Sequence, residues 1–339
     1  MRRSARATGR RFYFQTRHKL FVMKIVLAPM EGVVDHLMRD MLTRVGGYDL
    51  CVTEFVRVVE AKLPKKVYYR LCPELKQGAK TPSGVPVRVQ LLGQHPQWLA
   101  ENAQQAVELG SPGVDLNFGC PAKTVNKSKG GAVLLQTPDI LYAIVKAVRE
   151  AVPSELPVTA KMRLGFEDKS LALENAAALE AAGVSEIAIH ARTKVEGYKP
   201  PAYWDWIAKV REHVDTPIIA NGEIWSASDA QRCQQQSSCT NIMLGRGALA
   251  LPNLAKWIRG VDSQPMKWSE VAQLLIDYSG YEIYGDKGRY YPNRIKQWCG
   301  YLKRQYPEAE TLFNSIRQLR EASQIVEVLA RHCTPIHAA

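Results

Sequence analysis

Between residues 24 and 258 the chain repeats one pattern: a short apolar run that stops abruptly at polar or turn-forming residues, followed by a stretch with helical periodicity. The apolar runs fall at 24–28, 49–53, 87–92, 114–116, 157–161, 186–190, 217–220 and 241–244. Helical spacing follows at 36–45, 96–109, 139–152, 171–182, 204–213 and 228–235, with a last short helix from near Pro252. A longer connection holding Pro64, Pro73, Pro82 and Gly84 joins the second run to the third. Alternation at this spacing predicts parallel strands with helical crossovers, and eight units are what closes a (β/α)8 TIM barrel.

The runs end in chemically loaded residues: Pro29-Met30, Thr53-Glu54, Gln90, Asn117 to Cys120, Lys161, His190, Asn221-Gly222-Glu223 and Gly245-Arg246. In an eight-fold barrel those ends converge on one rim, where the active site belongs. Each has an innocent explanation taken singly: Gln90 can satisfy backbone groups, Lys161 can pair with a carboxylate, and His190 can be a hydrogen-bonded core histidine. Eight polar ends in register argue for a site. A single cysteine is ordinarily a small core hydrophobe. Cys120, however, lies between Gly119 and Pro121 at a strand's end, ahead of Lys123, Lys127 and Lys129, which read as a mobile basic loop.

From about Val261 strand-like runs give way to helical periodicity at 268–284, 291–305, 308–320 and 321–333. The expected organisation is a barrel over 23–260 and a small helical-bundle domain over 261–339. Within 288–304, Arg289, Arg294, Lys296, Lys303 and Arg304 occur without an acid and alternate with Tyr290, Tyr291, Trp298 and Tyr301. Ile295, Trp298 and Leu302 form an apolar stripe. Arg294, Tyr301 and Arg304 are expected on one exposed flank, and Lys296 and Lys303 on another. A solvated basic face is the plain alternative; cations mixed with aromatics suit a phosphate backbone with unstacked bases.

Net charge is +12, unevenly placed. Residues 1–22 hold Arg2, Arg3, Arg6, Arg10, Arg11, Arg17 and Lys19 without an acid. They resemble a targeting presequence but lack its apolar core, so they are expected to be a dispensable, disordered basic extension, with Met23 as an alternative start. No apolar run reaches the length of a membrane span. The seven cysteines are odd in number, scattered and never in a C-x-x-C pair, which fits neither a disulfide framework nor a zinc ribbon. No metal site is expected, and a reducing cytoplasm is the expected compartment.

A phosphate site in such a barrel usually comes from the loops after strands seven and eight, here Asn221-Gly222-Glu223 and Gly245-Arg246-Gly247. No G-x-G-x-x-G follows a strand, which argues against a Rossmann dinucleotide. A mononucleotide across the barrel mouth fits better, with flavin mononucleotide (FMN) the leading candidate. Gln90 would meet its pyrimidine edge, Lys161 the charge of the reduced ring, and Pro29 and Met30 its apolar end. A thiol with a pKa of about 8.5 is mostly protonated at neutral pH, so beside a flavin Cys120 reads as a proton donor. A nucleophilic role would need a base that its turn does not supply.

The residues Ala28-Pro-Met-Glu-Gly32, Val89-Gln-Leu91, Asp115-Leu-Asn-Phe-Gly-Cys-Pro121, Lys161-Met-Arg-Leu-Gly165, His190-Ala-Arg-Thr193, Asn221-Gly-Glu223 and Gly245-Arg-Gly247 together resemble the tRNA-dihydrouridine synthase family. The likeness runs from Met23 to the C-terminus. Thr53-Glu-Phe-Val-Arg-Val58 and Asn293-Arg-Ile-Lys-Gln-Trp298 resemble its bacterial C subfamily, which reduces uridine 16 in the tRNA D-loop. The resemblance implies a flavin barrel with a C-terminal helical tRNA-binding domain, reduced by NADPH. Hydride would pass from flavin N5 to uracil C6, and Cys120 would protonate C5. It further implies that Pro29, Met30, Glu31, Gln90, Lys161, His190, Asn221, Gly222, Glu223, Gly245 and Arg246 hold FMN. Arg57, Asn117, Tyr198, Arg294, Lys296, Tyr301 and Arg317 would contact tRNA or a uracil flipped at a cost of a few kcal/mol. Lys127 and Lys129 depart from the family's small residues, and the basic extension has no counterpart in it. A monomer is expected. Two rivals remain: a flavin barrel acting on free pyrimidines in the dihydroorotate manner, which needs no basic helical appendage, and a non-catalytic tRNA-binding factor, which would be colourless.

Overall fold

Eight parallel strands close into a barrel in chain order: β1 (Ile25–Leu27), β2 (Leu50–Arg57), β3 (Val87–Leu92), β4 (Val114–Phe118), β5 (Val158–Arg163), β6 (Glu186–His190), β7 (Ile218–Asn221) and β8 (Asn241–Leu244). β8 returns to β1 through Ile25 beside Ile242 and Leu27 beside Leu244. This computed structural model describes residues 23–284 and 288–333, so the basic extension expected at 1–22 lies outside the described residues. Crossovers are made by α1 (His36–Val45), α2 (Lys65–Leu71), α3 (Pro96–Glu108), α4 (Lys123–Lys127), α5 (Pro138–Ala151), α6 (Ala172–Ala181), α7 (Trp204–His213) and α8 (Ala227–Ser237). After β8 come α9 (Arg246–Ala250) and α10 (Leu254–Ile258), then α11 (Trp268–Tyr284), α12 (Tyr291–Leu302), α13 (Pro307–Ile316) and α14 (Ala322–Cys333).

The local causes are ordinary. Asp35 caps α1 by accepting from the Met38 N–H, the standard use of a carboxylate at a helix start. α5 begins at Pro138, whose missing N–H costs nothing there, and it buries Leu141, Ile144, Val145 and Val148 on one face. All six residues of β3 are buried, as strands covered on both faces require. Ile25 and Leu27 face the helical layer, while Val26 joins Ala28, Leu50, Val52, Ala188, Ile219 and Met243 in a smaller cluster inside the barrel. That alternation is the two-residue period of a strand.

Two local expectations are corrected, and one long connection is resolved into elements. The long connection before β3 contains α2 and a 3-10 turn at Pro73–Gln77, because its prolines begin helical turns rather than prevent them. Within it Glu74 forms a buried two-pronged pair with Arg39. β2 runs on to Arg57 across a bulge between Val52 and Phe55, so Glu54 is a strand residue. The basic stretch after Cys120 is a one-turn helix, α4, not a plain loop. Asn126 secures it by donating to the Cys120 and Ala122 carbonyls and accepting from the Val133 N–H.

α11 to α14 pack on one another and on the barrel. Ile295, Trp298 and Leu302 are buried, and the Trp298 indole N–H donates to the Leu249 carbonyl at 3.1 Å. The expected exposed flank differs from the observed one. Arg294 reaches back to the β1–α1 loop, donating to the Gly32 carbonyl at 2.6 Å and the Val33 carbonyl at 2.9 Å, with Asp35 at 3.3 Å. Lys296 donates to the Leu319 carbonyl. Lys303 and Arg304 are exposed.

Candidate active site

β4 delivers Cys120 to the mouth of the barrel in a turn held from two sides. The Asn117 side-chain oxygen accepts from the N–H groups of Gly119 and Cys120, both at 2.9 Å, closing an Asx turn. From the other side Gly131, at φ +68°, lies so close that a Cβ there would sit 2.9 Å from the Cys120 carbonyl oxygen. Cys120 is 8% exposed. Burial pushes its thiol above the ordinary value, with Glu31 adding to the rise and the Ala122 N–H, Arg163 and Arg57 opposing it. The group is therefore a protonated thiol at neutral pH.

The thiol lies on the wall of a cavity of about 620 Å³. Pro29, Met30, Glu31, Gln90, Lys161 and His190 line it from β1 to β6, and Asn221, Gly222, Glu223, Gly245 and Arg246 line it from the β7 and β8 ends. Strand ends spread over the chain from residue 29 to residue 246 are thus brought to one wall. Asn117, Tyr198 and Tyr301 also line it. Arg57 stands outside, donating to the Ser128 hydroxyl at 2.7 Å and to the Thr124 carbonyl. Arg294, Lys296 and Arg317 are not on the wall; Arg317 is exposed where α13 ends.

The wall is cationic. Lys161 donates to the Asn221 side-chain oxygen at 3.1 Å; burial, reinforced by Arg163 and opposed by Asp115, lowers its pKa to about 8. It remains mostly charged at pH 7. Burial, then the charges of Arg163, Lys161, Arg192 and Arg246, hold His190 well below the imidazole range, so it is neutral. Tyr198 meets the His190 ring edge-on at 5.8 Å, with the guanidinium groups of Arg163 and Arg246 at 5.1 and 4.7 Å from its ring. Burial alone would raise the Glu223 pKa, but hydrogen bonds from Arg192 and Trp225 and the charges of Arg192 and Arg246 lower it, so it is a carboxylate. Arg192 is fully buried, and its Nη1 has no hydrogen-bond partner. Arg192 lies behind the wall, whereas Arg246 is on it and gives this end of the cavity a cation suited to an anionic group. Gly247 allows the β8 end to close on β7, since a Cβ there would fall 2.0 Å from the Ile224 carbonyl oxygen.

Arg163 and Arg192 stand within the sequence motifs, yet the sequence assigned them no role. Arg163 donates to the Gly119 carbonyl at 2.9 Å and to the Thr193 and Gly197 carbonyls, bracing the Cys120 turn. For Arg163 the signal was present, since it lies two residues beyond Lys161 on β5; Arg192 lies past the end of β6 and carried none. A two-residue step returns a strand's side chain to the same face. Trp225, whose indole N–H holds Glu223 at 2.9 Å, carried no such mark.

A protonated thiol, a buried ammonium and a cationic end with close-approaching glycines can bind an anionic planar ligand and protonate a carbon held against it. A sequence model described as dihydrouridine synthase matches residues 26–334. The tRNA-dihydrouridine(16) synthase of Shewanella oneidensis is 60% identical over 307 residues, covering 91% of this chain and 97% of that protein. Those of Vibrio parahaemolyticus and Salmonella typhimurium are 55% and 52% identical, each over 91% of this chain and over 96% and 98% of theirs. Among solved structures, a 2-naphthoyl-CoA reductase complex aligns with TM-score 0.55 at 14% identity over 70% of this chain. Histamine dehydrogenase from Rhizobium sp. 4-9 aligns with TM-score 0.52 at 15% identity, also over 70%. The chain spans about half the length of each, at 50% and 46%, and the likeness concerns the fold.

Proposed function

The chain belongs to the dihydrouridine synthase family, a family of flavin oxidoreductases, and from that premise we propose that it reduces uridine 16 in the tRNA D-loop to 5,6-dihydrouridine, with FMN in the barrel mouth and NADPH as reductant. The observation that carries this reading is the protonated thiol of Cys120 on the same cavity wall as Lys161 and the cationic β7–β8 end. The cavity volume lies within the range of roughly 300–1,000 Å³ usual for ligand sites. Arg246 and the glycine-lined β7–β8 loops suit the phosphate. Lys161 and Gln90 suit the polar edge of the ring, and Met30 and Pro29 its apolar end.

Held by these residues, a flavin would supply the hydride for C6 of the uracil. Cys120 Sγ gives its proton to C5, where the electron pair arrives. The Lys161 ammonium offsets negative charge on the wall, and Tyr198 and Tyr301 offer aromatic surface to an unstacked base. Tyr301 comes from α12, which favours an RNA substrate gripped by barrel and helices over a free pyrimidine. We place the reaction in the cytoplasm and assign it to a monomer; no helix among the described residues is long and apolar enough to cross a membrane. Mapping dihydrouridine in tRNA from cells lacking this protein tests the assignment: position 16 should lose its modification, and an unchanged map would refute it. Colourless protein that refuses added FMN would refute the chemistry.

Two further outcomes are expected. A Lys161→Met protein should lose flavin affinity by about tenfold or more, since a desolvated cation opposite an anion contributes strongly. Without flavin it should melt a few degrees higher than the parent at pH 7, because the burial cost of the ammonium outweighs its bond to Asn221 and the attraction of Asp115, as the lowered pKa shows. The sign follows from the depressed pKa. Above about 8 the folded protein releases a proton that the unfolded chain keeps until about 10.5, so the parent gains stability across that window and the difference narrows. Melting curves of flavin-free protein at neutral and alkaline pH check this, and a constant difference would count against it.

Arg294 and Arg317 should separate docking from RNA contact. Arg294→Ala strips two backbone carbonyls and Asp35 of a cation, and should cost about 1–3 kcal/mol of stability without changing the salt slope of tRNA binding. Arg317→Ala should leave the melting point alone and reduce that slope by about one. Salt titrations and thermal melts of both variants decide it.

A further inference from the structure

A chain of hydrogen bonds runs from the barrel interior to the Cys120 turn. The Asp115 carboxylate accepts from the Thr159 hydroxyl at 2.6 Å and from the Gln90 side-chain N–H at 2.7 Å. The Gln90 side-chain oxygen accepts from the Asn117 side-chain N–H at 2.8 Å. The Asn117 oxygen in turn accepts from the Gly119 and Cys120 backbone N–H groups. Gln90 is fully buried and Asp115 is 2% exposed.

Both ends of this chain have fixed polarity. Both Asp115 oxygens accept here, Oδ1 from Thr159 and Oδ2 from Gln90, and a backbone N–H only donates. The two amides between them are therefore compatible with one orientation each. Reversing Gln90 would set its oxygen against the carboxylate and its N–H against the Asn117 N–H. Reversing Asn117 would set its N–H against the two backbone donors of the turn.

We propose that Asp115 is a positioning residue for the thiol: by fixing the sense of both amides it holds the Cys120 turn in place. Asp115 lies two residues before Asn117 on β4, so one strand face carries both the anchor and the residue it directs. Burial pushes the Asp115 pKa up, and the hydrogen bonds from Gln90 and Thr159 and the charges of Arg88 and Lys161 oppose the rise. Its charge also faces the buried Arg88 and Lys161, so an apolar replacement has a stability cost as well, which is why the test reads alkylation and the split between kcat and KM. The inference rests on Cys120 as the proton donor, and its test carries a readout that does not depend on turnover.

The test compares Asp115→Leu, Asp115→Asn and Thr159→Val in the flavin-loaded protein. Alkylation of Cys120 by iodoacetamide is followed by mass, alongside kcat and KM for tRNA. The leucine variant should alkylate about fivefold faster, because the released turn opens access to the sulfur. Its kcat should fall by about tenfold or more with KM within about twofold, as a misplaced donor slows chemistry rather than binding. The asparagine variant should restore both, its oxygen accepting from Gln90 and its amide donating to Thr159. Unchanged alkylation and kcat in the leucine variant, or equal defects in both variants, would overturn the proposal. If the leucine variant does not fold, Thr159→Val removes one donor to Asp115 isosterically. Faster alkylation with about threefold lower kcat would support the proposal, and parental values would overturn it. Faster alkylation in the leucine variant together with full turnover by Cys120→Ala would sink the acid role of Cys120 and leave the positioning of its turn intact.

Discussion

A Cys120→Ala protein should bind flavin and tRNA as the parent does, yet form dihydrouridine about 10²–10⁴-fold more slowly, the usual contribution of a positioned acid. Few substitutions isolate one atom so cleanly. The turn is held through backbone groups that alanine keeps: the Cys120 N–H donates to Asn117, and its carbonyl accepts from the Ala132 N–H at 3.1 Å and from Asn126 at 3.0 Å. Losing the sulfur therefore leaves the walls in place. Single-turnover reduction of tRNA by the pre-reduced protein measures the loss, and undiminished turnover would remove the thiol from the reaction. The pH profile adds a second check. An acid must be protonated to act, and burial holds this thiol above its ordinary value, so the alkaline limb of the parent should fall above about pH 8.5.

The second large effect is expected at a close backbone approach on the cavity wall. Gly247→Ala would bring a methyl group to 2.0 Å from the Ile224 carbonyl oxygen and 3.0 Å from the Leu254 side chain. Backbone cannot yield as a flexible side chain does, so the β7 and β8 ends must separate. A loss of more than about 3 kcal/mol is expected, with release of flavin because Gly245 and Arg246 move with the segment. Gly300 supplies the control. It lies exposed within α12, and nothing stands within 4 Å of the point a Cβ would occupy there. Alanine at this position should stabilise by up to about 1 kcal/mol through helix propensity. Thermal melts with a flavin count in the same samples would show whether the two glycines separate in this way.

Much of this architecture was legible from residue order. The runs at 87–92, 186–190 and 241–244 and the helices at 36–45 and 204–213 coincide with β3, β6, β8, α1 and α7, because buried strands and one-sided helices state their environment within a few residues. The position of Cys120 at a strand end was legible for the same reason. α4 was not: its sequence, Lys-Thr-Val-Asn-Lys, has no helical signature, and Asn126 holds it by contacts made across the turn. Nor was the fate of Arg294, whose partners Gly32, Val33 and Asp35 stand some 260 positions earlier in the chain.

Local hydrophobic period and turn chemistry, then, were sufficient to set the strand–helix order, the barrel class and the list of polar groups at its mouth, since each depends on near neighbours alone. Closing the ring decided the rest. Which cations are paired, which amide faces which carboxylate, that Lys161 sits near pKa 8 while His190 stays neutral, and that the thiol keeps its proton all depend on desolvation and on charges supplied by distant strands. Those quantities do not exist until the strands meet.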